Sequence, residues 1–444
     1  KKSKGTLGLK IFSTYSAKIK HYNKIFSETV SIYRDAVNFL MDICLHEWAD
    51  IYSIKGNQAQ MMYVESLCHK TKENPVPKYD FDGKFYKMPS YIRRASISEA
   101  IGKVSSYKSN LENWEGNPVG KKPTLNTCGY VYPSLYRMGM YNQTGNYSAQ
   151  VKISHNNTWD WLTVDLRKSD MDYIYRRCSS RKICAPTLQK RGKEWFLDFP
   201  FEEKTTLVDT NDLVIGVDLG LNSACTCCVM DSKGAVYGRQ FLNLPSEKDR
   251  LSHSINRIKK AQQYGNHKTP RLWAKTKGIN DDIAVKTANF IMDVAVMYNA
   301  DTIVFEHLDL AGKKHGSKKQ KLHMWNAQYV QSMVENKAHR LKMHVSHICA
   351  WGTSKLAYDG SGTVLRGKDA EMPTYSLCKF QNGKVYNCDL NASYNIASRY
   401  YIREILKSCP ETDRLDILAK VPRYSKRSTC TLADLISLNA VLVA

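Results

Sequence analysis

The run LVIGVDLG at residues 213–220 decides how this chain is read. It is apolar throughout until a single carboxylate, Asp218, and that pattern predicts a strand buried on both faces, not an edge strand with one wet side. Strand-like runs follow at 225–230 (CTCCVM) and 235–241 (AVYGRQF), predicting a meander. Residues 246–299 read as helical, with a basic stretch of Arg257, Lys259, Lys260, Lys268, Arg271, Lys275 and Lys277 in their middle. A second buried strand, TIVFEHL, occupies 302–308, then a basic segment from Lys313 to Lys321, a helix over about 325–342 and a short strand, HVSHICAW, at 344–351.

Three acids stand out by position. Asp218 ends the first buried strand, Glu306 ends the second, and Asp389 begins a predicted helix in CDLNASYN, residues 388–395. Carboxylates are rare at the ends of apolar strands unless they are paired or bind a metal. One such acid alone reads more plainly as a strand-end cap or an ion pair. Three in this order can converge on one point, where two Mg²⁺ ions would activate a water and stabilise a leaving oxygen in phosphodiester hydrolysis.

Outward from this region the pattern changes. Residues 6–13 (TLGLKIFS) alternate as a strand does, and Phe26, Val30, Tyr33, Val37, Leu40, Cys44 and Trp48 recur at steps of three or four, one face of a long helix. Residues 70–90 read as a loop. A second helix is predicted over about 91–114, with Arg93, Arg94, Lys103 and Lys108 in it, ending at the turn Gly116-Asn-Pro118. Residues 120–205 carry short alternating runs (YSAQVKIS, WLTVDL, EWFLDFPFE) split by Gly, Asn and Pro, which predict a small β-domain or barrel.

Composition agrees with a polyanion-facing protein. The 444 residues carry 65 Lys and Arg against 42 Asp and Glu, a formal charge of +23, and 27 Tyr interleaved with the basic residues. Such a surface stacks bases while it holds phosphates, and its binding weakens steeply with salt. At roughly 150 residues per domain the length predicts about three domains. No apolar run reaches the ~18 residues of a membrane span, and residues 1–12 lack the apolar core of a secretory signal. The 13 scattered cysteines read as free thiols of an intracellular chain. Cys225, Cys227 and Cys228 contain a C-x-x-C, but without a second pair and on an apolar strand they read as small buried hydrophobes.

Gly216-Val-Asp218-Leu-Gly220, Phe305-Glu306-His-Leu308 and Asp389-Leu-Asn391-Ala-Ser-Tyr-Asn395-Ile396 resemble the three parts of a RuvC nuclease, arranged as in the TnpB proteins of insertion sequences and the compact type V CRISPR effectors. Trp351-Gly-Thr353-Ser354 resembles the segment that precedes the zinc ribbon in those families. The resemblance implies an RNA-guided DNA endonuclease, Asp218, Glu306 and Asp389 being its catalytic, metal-binding acids, with two Mg²⁺ ions as cofactor and Mn²⁺ as the alternative. It implies an α+β multidomain, bilobed architecture: a β-barrel wedge domain (1–20 and 120–208), an inserted helical recognition domain (21–119), and a ribonuclease H-like RuvC α/β domain (209–444) with a degenerate ribbon-like insertion at about 350–388. The partners implied are a guide RNA and a double-stranded DNA target chosen by base pairing, the protein itself reading only a short flanking motif. Candidate nucleic-acid contacts are Arg93, Arg94, Lys121, Lys122, Lys259, Lys260, Lys313 and Lys314. A cytoplasmic, nucleoid-associated prokaryotic protein is expected, without membrane contact, as monomer or homodimer.

One departure is clear. Where the family places four zinc-binding cysteines, this chain has Lys355-Leu-Ala357-Tyr-Asp-Gly360 and then only Cys378 and Cys388. Structural zinc needs about four N or S ligands; Cys349, Cys378, Cys388 and His347 have no paired spacing, so a zinc-free loop subdomain is expected. Two rival readings remain: a guided DNA binder without cleavage, and an actin-like ATPase or kinase in which residues 215–223 and Asp359-Gly-Ser-Gly-Thr363 would be the phosphate loops. The second leaves Glu306, Asp389 and the charge unexplained.

Overall fold

The structure is a computed structural model that describes residues 8–21, 24–116, 118, 121–136, 139–206, 213–220, 223–308, 326–367, 372, 374 and 376–443. It is a mixed α+β fold with several sheets, in two compact units: one is Phe12–Glu203, the other Lys204–Ala444 together with Lys1–Ile11. Among the described residues no helix is long and apolar enough to cross a membrane.

In the first unit, strand β1 (Gly8–Lys18) precedes helix α1 (Ile25–His46), whose Phe26, Val30, Tyr33, Val37, Leu40 and Cys44 are buried as their spacing predicts. The helix stops one residue short of Trp48. Glu47 breaks it, its carboxylate accepting hydrogen bonds from Lys78 and Tyr79, and α2 (Trp48–Ser53) starts afresh. Two further helices, α3 (Asn57–Cys68) and the single turn α4 (Phe81–Lys84), come before α5 (Ser90–Gly116). Strands β2 (Tyr141–Gly145), β3 (Ser148–His155) and β4 (Thr158–Asp165) form an antiparallel meander, followed by α6 (Lys168–Cys178).

The barrel expected for this part does not close. Strands β5 (Lys182–Ile183), β6 (Thr187–Arg191) and β7 (Glu194–Thr206) form a four-stranded sheet with β1, separate from the three-stranded meander. The thirteen residues of β7 are long enough to serve β1, β5 and β6, so its hydrogen bonds are spent within one sheet. Toward the meander, among the described residues, an isolated bridge pairs Ile19 with Leu166 just past the end of β4. Alternation alone fixes which residues face inward but not whether the outer strands join.

The second unit is built on a five-stranded sheet. Strands β8 (Val214–Asp218), β9 (Cys225–Met230) and β10 (Val236–Leu242) make the expected antiparallel meander. Helices α7 (Pro245–Gln263) and α8 (Pro270–Met297) follow, both started by a proline, then β11 (Thr302–His307), α9 (Ala327–Arg340) and β12 (His344–Cys349). The strand order is β10-β9-β8-β11-β12, with β11 parallel to both β8 and β12. A small three-stranded sheet, β13 (Leu365–Arg366), β14 (Leu377–Lys379) and β15 (Val385–Asn387), leads into α10 (Cys388–Ser408), α11 (Glu411–Lys420), a 3₁₀ segment Pro422–Thr429 and α12 (Leu432–Val443).

Strand alternation sorts side chains between two cores. Ile215, Val217, Ile303 and Phe305 pack with α8 and α9 residues such as Ile291 and Val334. Val214 and Val304 pack on the opposite face with α10 and α12 residues such as Ile396, Ile402 and Leu435. Each fully buried side chain of this size contributes roughly 1.5–3 kcal/mol. All thirteen cysteines are free, and Cys225, Cys227 and Cys228 are fully buried on β9, filling space as apolar residues do.

Strand β8 and helix α10 approach closely at Gly216. A Cβ built on Gly216 would lie 2.3 Å from the Ser393 carbonyl oxygen and 2.9 Å from the Ala397 nitrogen. The helix meets the strand with Ala392, Ser393, Ala397 and Ser398, all fully buried and all small. Gly216→Ala is therefore expected to push helix from strand. Overpacking of this kind costs about 1–3 kcal/mol, and a thermal melt of the purified protein should show a clear drop in the transition assigned to this unit.

Candidate active site

Asp218 is the last residue of β8, and its neighbour in the next parallel strand is set by the pairing of Val217 with Phe305, after which come Asp218 and Glu306 side by side. Both continue the face that carries Gly216 and Val304, the face covered by α10. Asp389 lies in the first turn of α10. The Asn387 side chain caps that helix, accepting from the backbone N–H of Asp389 at 3.0 Å and of Leu390 at 2.9 Å. Two adjacent strand ends and one helix start thus bring the three acids predicted from sequence to one end of the sheet.

Their charges confirm the proximity. Burial pushes the Asp218 carboxyl well above the usual carboxylate range, and the negative charges of Glu306 and Asp389 push it further, with the Arg366 guanidinium acting against them. Burial also raises Glu306, opposed by a short hydrogen bond from the Thr353 hydroxyl and by the charge of Arg399. The Ser223 hydroxyl donates to Asp389 at 2.9 Å. Among the described residues no group of three or more His, Cys, Asp or Glu side chains is arranged to hold a metal ion. The acids are within electrostatic reach of one another without being gathered into one coordination sphere. As a donor set they nonetheless fit a hard divalent cation: all oxygen, all anionic, and mutually repelling in a way that such a cation would relieve.

Two cations complete the surroundings. Arg366, on β13, donates to the Ser354 carbonyl at 2.6 Å and faces Asp218. Lys248, on α7, lies within electrostatic reach of Asp389, and burial pulls its ammonium down while Asp389 works against the shift. Neither stands out in the sequence, since a lone basic residue in a chain with 65 Lys and Arg has no distinguishing signal. The spacing of Arg366 from Asp389 becomes meaningful only once the small sheet folds back on α10.

Other predicted residues lie elsewhere. Arg93 is 6% exposed and committed to Glu65 through two hydrogen bonds, and the half-exposed Arg94 shares that carboxylate. Lys121 and Lys122 are exposed, with the Lys122 ammonium over the Trp114 ring. Lys259 and Lys260 are exposed on α7, and with Arg257, Lys268, Arg271, Lys275 and Lys277 they give the α7–α8 pair a wet basic surface. Lys313 and Lys314 lie outside the described residues.

The insertion at 350–388 holds itself together through apolar contacts. Ala357, Val364, Cys378, Phe380 and Cys388 form a small buried cluster, and Tyr358, Phe380, Tyr386 and Tyr394 stack edge to face around it. Cys378 and Cys388 are buried there, whereas Cys349 is exposed at the end of β12. Asp359-Gly-Ser-Gly-Thr363 is a turn closed on itself, Ser361 N–H donating to the Asp359 carboxylate at 3.0 Å, not a loop open to a phosphate. If the apolar cluster carries this subdomain, treatment with 1,10-phenanthroline leaves the melting curve unchanged; a fall would show a structural zinc.

The raised carboxyls make stability depend on pH in a definite direction. An acid whose folded pKa lies above its unfolded value near ~3.9 destabilises the protein as pH rises from that value through the folded one. In EDTA, Asp218→Asn should therefore raise the melting temperature at pH 7, and the gap to wild type should close near pH 4. An equal gap at both pH values would contradict the repulsion.

Comparison with known proteins matches residues 13–155 to the Aq_aa04 family model. The chain is similar to the TnpB-like protein aq_aa05 of Aquifex aeolicus, 29% identical over 235 residues that make up 47% of this chain and 74% of that protein. It is similar to the uncharacterised protein aq_aa04 of the same organism, 30% identical over 150 residues, 30% of this chain and 80% of that one. Among solved structures, the protein of a Cas12f1–sgRNA–target DNA complex shares the fold at a TM-score of 0.53 and 14% identity, covering 84% of this chain and 81% of that one.

Proposed function

We propose, from the premise that the chain belongs to the Aq_aa04 family and with it to the TnpB-like and type V effector proteins, that it is an RNA-guided DNA endonuclease with a RuvC site at Asp218, Glu306 and Asp389. The observation that carries the reading is the juxtaposition of these acids at one sheet end, where burial and mutual repulsion raise Asp218. The strand order β10-β9-β8-β11-β12, with an antiparallel meander and two parallel strands, supports a ribonuclease H-like domain over 209–444.

The three carboxylates would hold two Mg²⁺ ions, with Mn²⁺ able to replace them. When bound, such a pair lowers the pKa of a water and offsets charge on the leaving oxygen. The chain's own groups do the rest. Thr353 and Ser223 orient Glu306 and Asp389 by donating to them, so that their remaining lone pairs face the site. Arg366 and Lys248 place positive charge beside Asp218 and Asp389, where a phosphodiester would enter. The basic surface of α7 and α8, with Lys259 and Lys260, suits the backbone of a nucleic acid on its way to the acids.

Guide RNA and duplex DNA are the partners this reading assigns, by analogy with the sgRNA and target DNA of the structural relative. Target choice would then rest on base pairing and a short flanking motif. A guided binder without cleavage is the second reading, and the presence of all three acids favours the first.

Two measurements test the proposal. Expressed with its native flanking DNA, the protein should retain one abundant RNA species through purification in moderate salt. A plasmid matching that RNA should be cut in Mg²⁺, and Asp218→Ala should reduce cutting by at least about 10³-fold, as expected when a charge-holding group of the site is lost, while target binding stays within about twofold. Loss of the discrete RNA, or undiminished cutting by the variant, would overturn it.

A further inference from the structure

Asn391, Asn395, Arg399 and Arg403 recur every four residues along α10, one turn apart, so they share a face. All four reach the backbone that runs from β12 into the insertion, Asn391 and Asn395 sharing the Leu356 carbonyl. Arg403 donates to the His347 carbonyl at 3.1 Å. Arg399 donates through Nη1 to the carbonyls of Cys349 at 3.1 Å and Trp351 at 2.8 Å. Asn395 donates to Thr353 at 2.9 Å and Leu356 at 2.8 Å. Asn391 donates to Leu356 at 2.8 Å and accepts from the Tyr358 N–H at 2.8 Å. The four side chains form a polar zipper, antiparallel to the segment 347–358.

What the zipper holds is the segment that orients the acids. Thr353, whose hydroxyl donates to Glu306, and Ser354, whose carbonyl anchors Arg366 beside Asp218, both lie within it. Asn391, Asn395 and Arg399 are between 0% and 2% exposed, too dry to face substrate. Asn395 Oδ1 and Arg399 Nη2 are buried without a hydrogen-bond partner among the described residues. A buried guanidinium with an unspent donor is costly unless something else depends on its place. The Nε of Arg399 donates to the Cys430 carbonyl at 2.9 Å, directly before α12. That C-terminal segment is fixed further by Ala433 N–H on the Tyr358 carbonyl at 2.9 Å and by the Asp434 carboxylate capping Thr431 at 2.8 Å.

We propose that Asn395 and Arg399 are positioning residues of the nuclease site: through the segment they pin, they set Thr353 against Glu306 and Arg366 against Asp218, and Arg399 ties that geometry to the C-terminal segment from Cys430 onward. This rests on the nuclease reading given above. It gives Asn391 and Asn395, otherwise only motif letters, a physical task, and it makes the C-terminal segment part of the site's support.

The test uses the full chain with its co-purifying RNA, as wild type, Arg399→Gln, Arg399→Lys and the milder Asn395→Ala. In single-turnover cleavage of a matching plasmid, Arg399→Gln should lower the rate constant about 10²-fold, the loss typical of a small misplacement at a reacting centre. Target affinity and the cleavable fraction should stay unchanged. Arg399→Lys, which keeps the charge but not the planar fork of donors, should recover part of the rate. Without any divalent ion, amide exchange of residues 347–358 should quicken in Arg399→Gln and Asn395→Ala, and Mn²⁺ affinity followed by electron paramagnetic resonance should weaken in both. A merely structural role would lower the cleavable fraction and leave the rate constant alone, and that outcome overturns the inference. Wild-type exchange and Mn²⁺ affinity in Arg399→Gln would overturn it too. Where wild type itself does not cut, the nuclease reading fails, while exchange and Mn²⁺ binding still decide whether the zipper positions the acids.

Discussion

The seating of α10 on β8 is the contact on which the rest of the second unit depends. It exists because Gly216 has no side chain: the Ser393 carbonyl and the Ala397 backbone occupy the place a Cβ would take. The helix is fixed along its length by the same approach, since the Cys228 thiol bonds the Ser393 carbonyl at 3.1 Å and the Tyr401 hydroxyl bonds the Met230 carbonyl at 2.9 Å. With the helix at this distance, its first turn lies level with the ends of β8 and β11. Asp389 therefore meets Asp218 and Glu306 as a consequence of packing, before any electrostatic argument applies.

The electrostatics run against that packing. Like-charged carboxylates at a shared site raise one another's pKa, and burial adds to the effect. The apolar cores on the two faces of the sheet offset this repulsion: Ile215, Val217, Ile303 and Phe305 on one side, Val214, Val304, Ile396 and Leu435 on the other. Arg366, Lys248 and Arg399 each bring positive charge within reach of one acid, which lessens the repulsion without removing it. A divalent ion entering a site arranged in this way would remove a cost the fold already carries.

Much of the second unit was legible in the sequence, for physical reasons that differ by residue. LVIGVDLG and TIVFEHL read as buried strands because strands covered on both faces are apolar without alternation, and the acids ending them were conspicuous against that background. The Cys225–Met230 strand announced its burial the same way. In the first unit, α1 followed from its apolar spacing, but its interruption at Glu47, whose carboxylate accepts from the distant Lys78 and Tyr79, did not. The barrel did not close for a similar reason: closure depends on which edge strands meet, and alternation is silent about edges. Arg93 looked like a phosphate contact and is instead paired inside with Glu65, since a basic residue on a helix gives no sign of which way the helix turns.

The insertion is held by apolar and aromatic contacts among the described residues. Ala357, Val364 and Phe380 close around Cys378 and Cys388, and the Tyr386 and Tyr394 hydroxyls meet at 3.0 Å. These contacts anchor the sheet to α10 at the end that carries Asp389, while the polar zipper anchors the preceding segment further along the same helix. The insertion is thus held at two places on one rigid element, and that element is seated on β8 by Gly216. Arg366 travels with the insertion: it is held on the Ser354 carbonyl, next to Thr353, whose hydroxyl donates to Glu306 on β11. The insertion's attachment to α10 is carried by a dry aromatic cluster, in which Tyr358, Phe380, Tyr386 and Tyr394 pack edge to face.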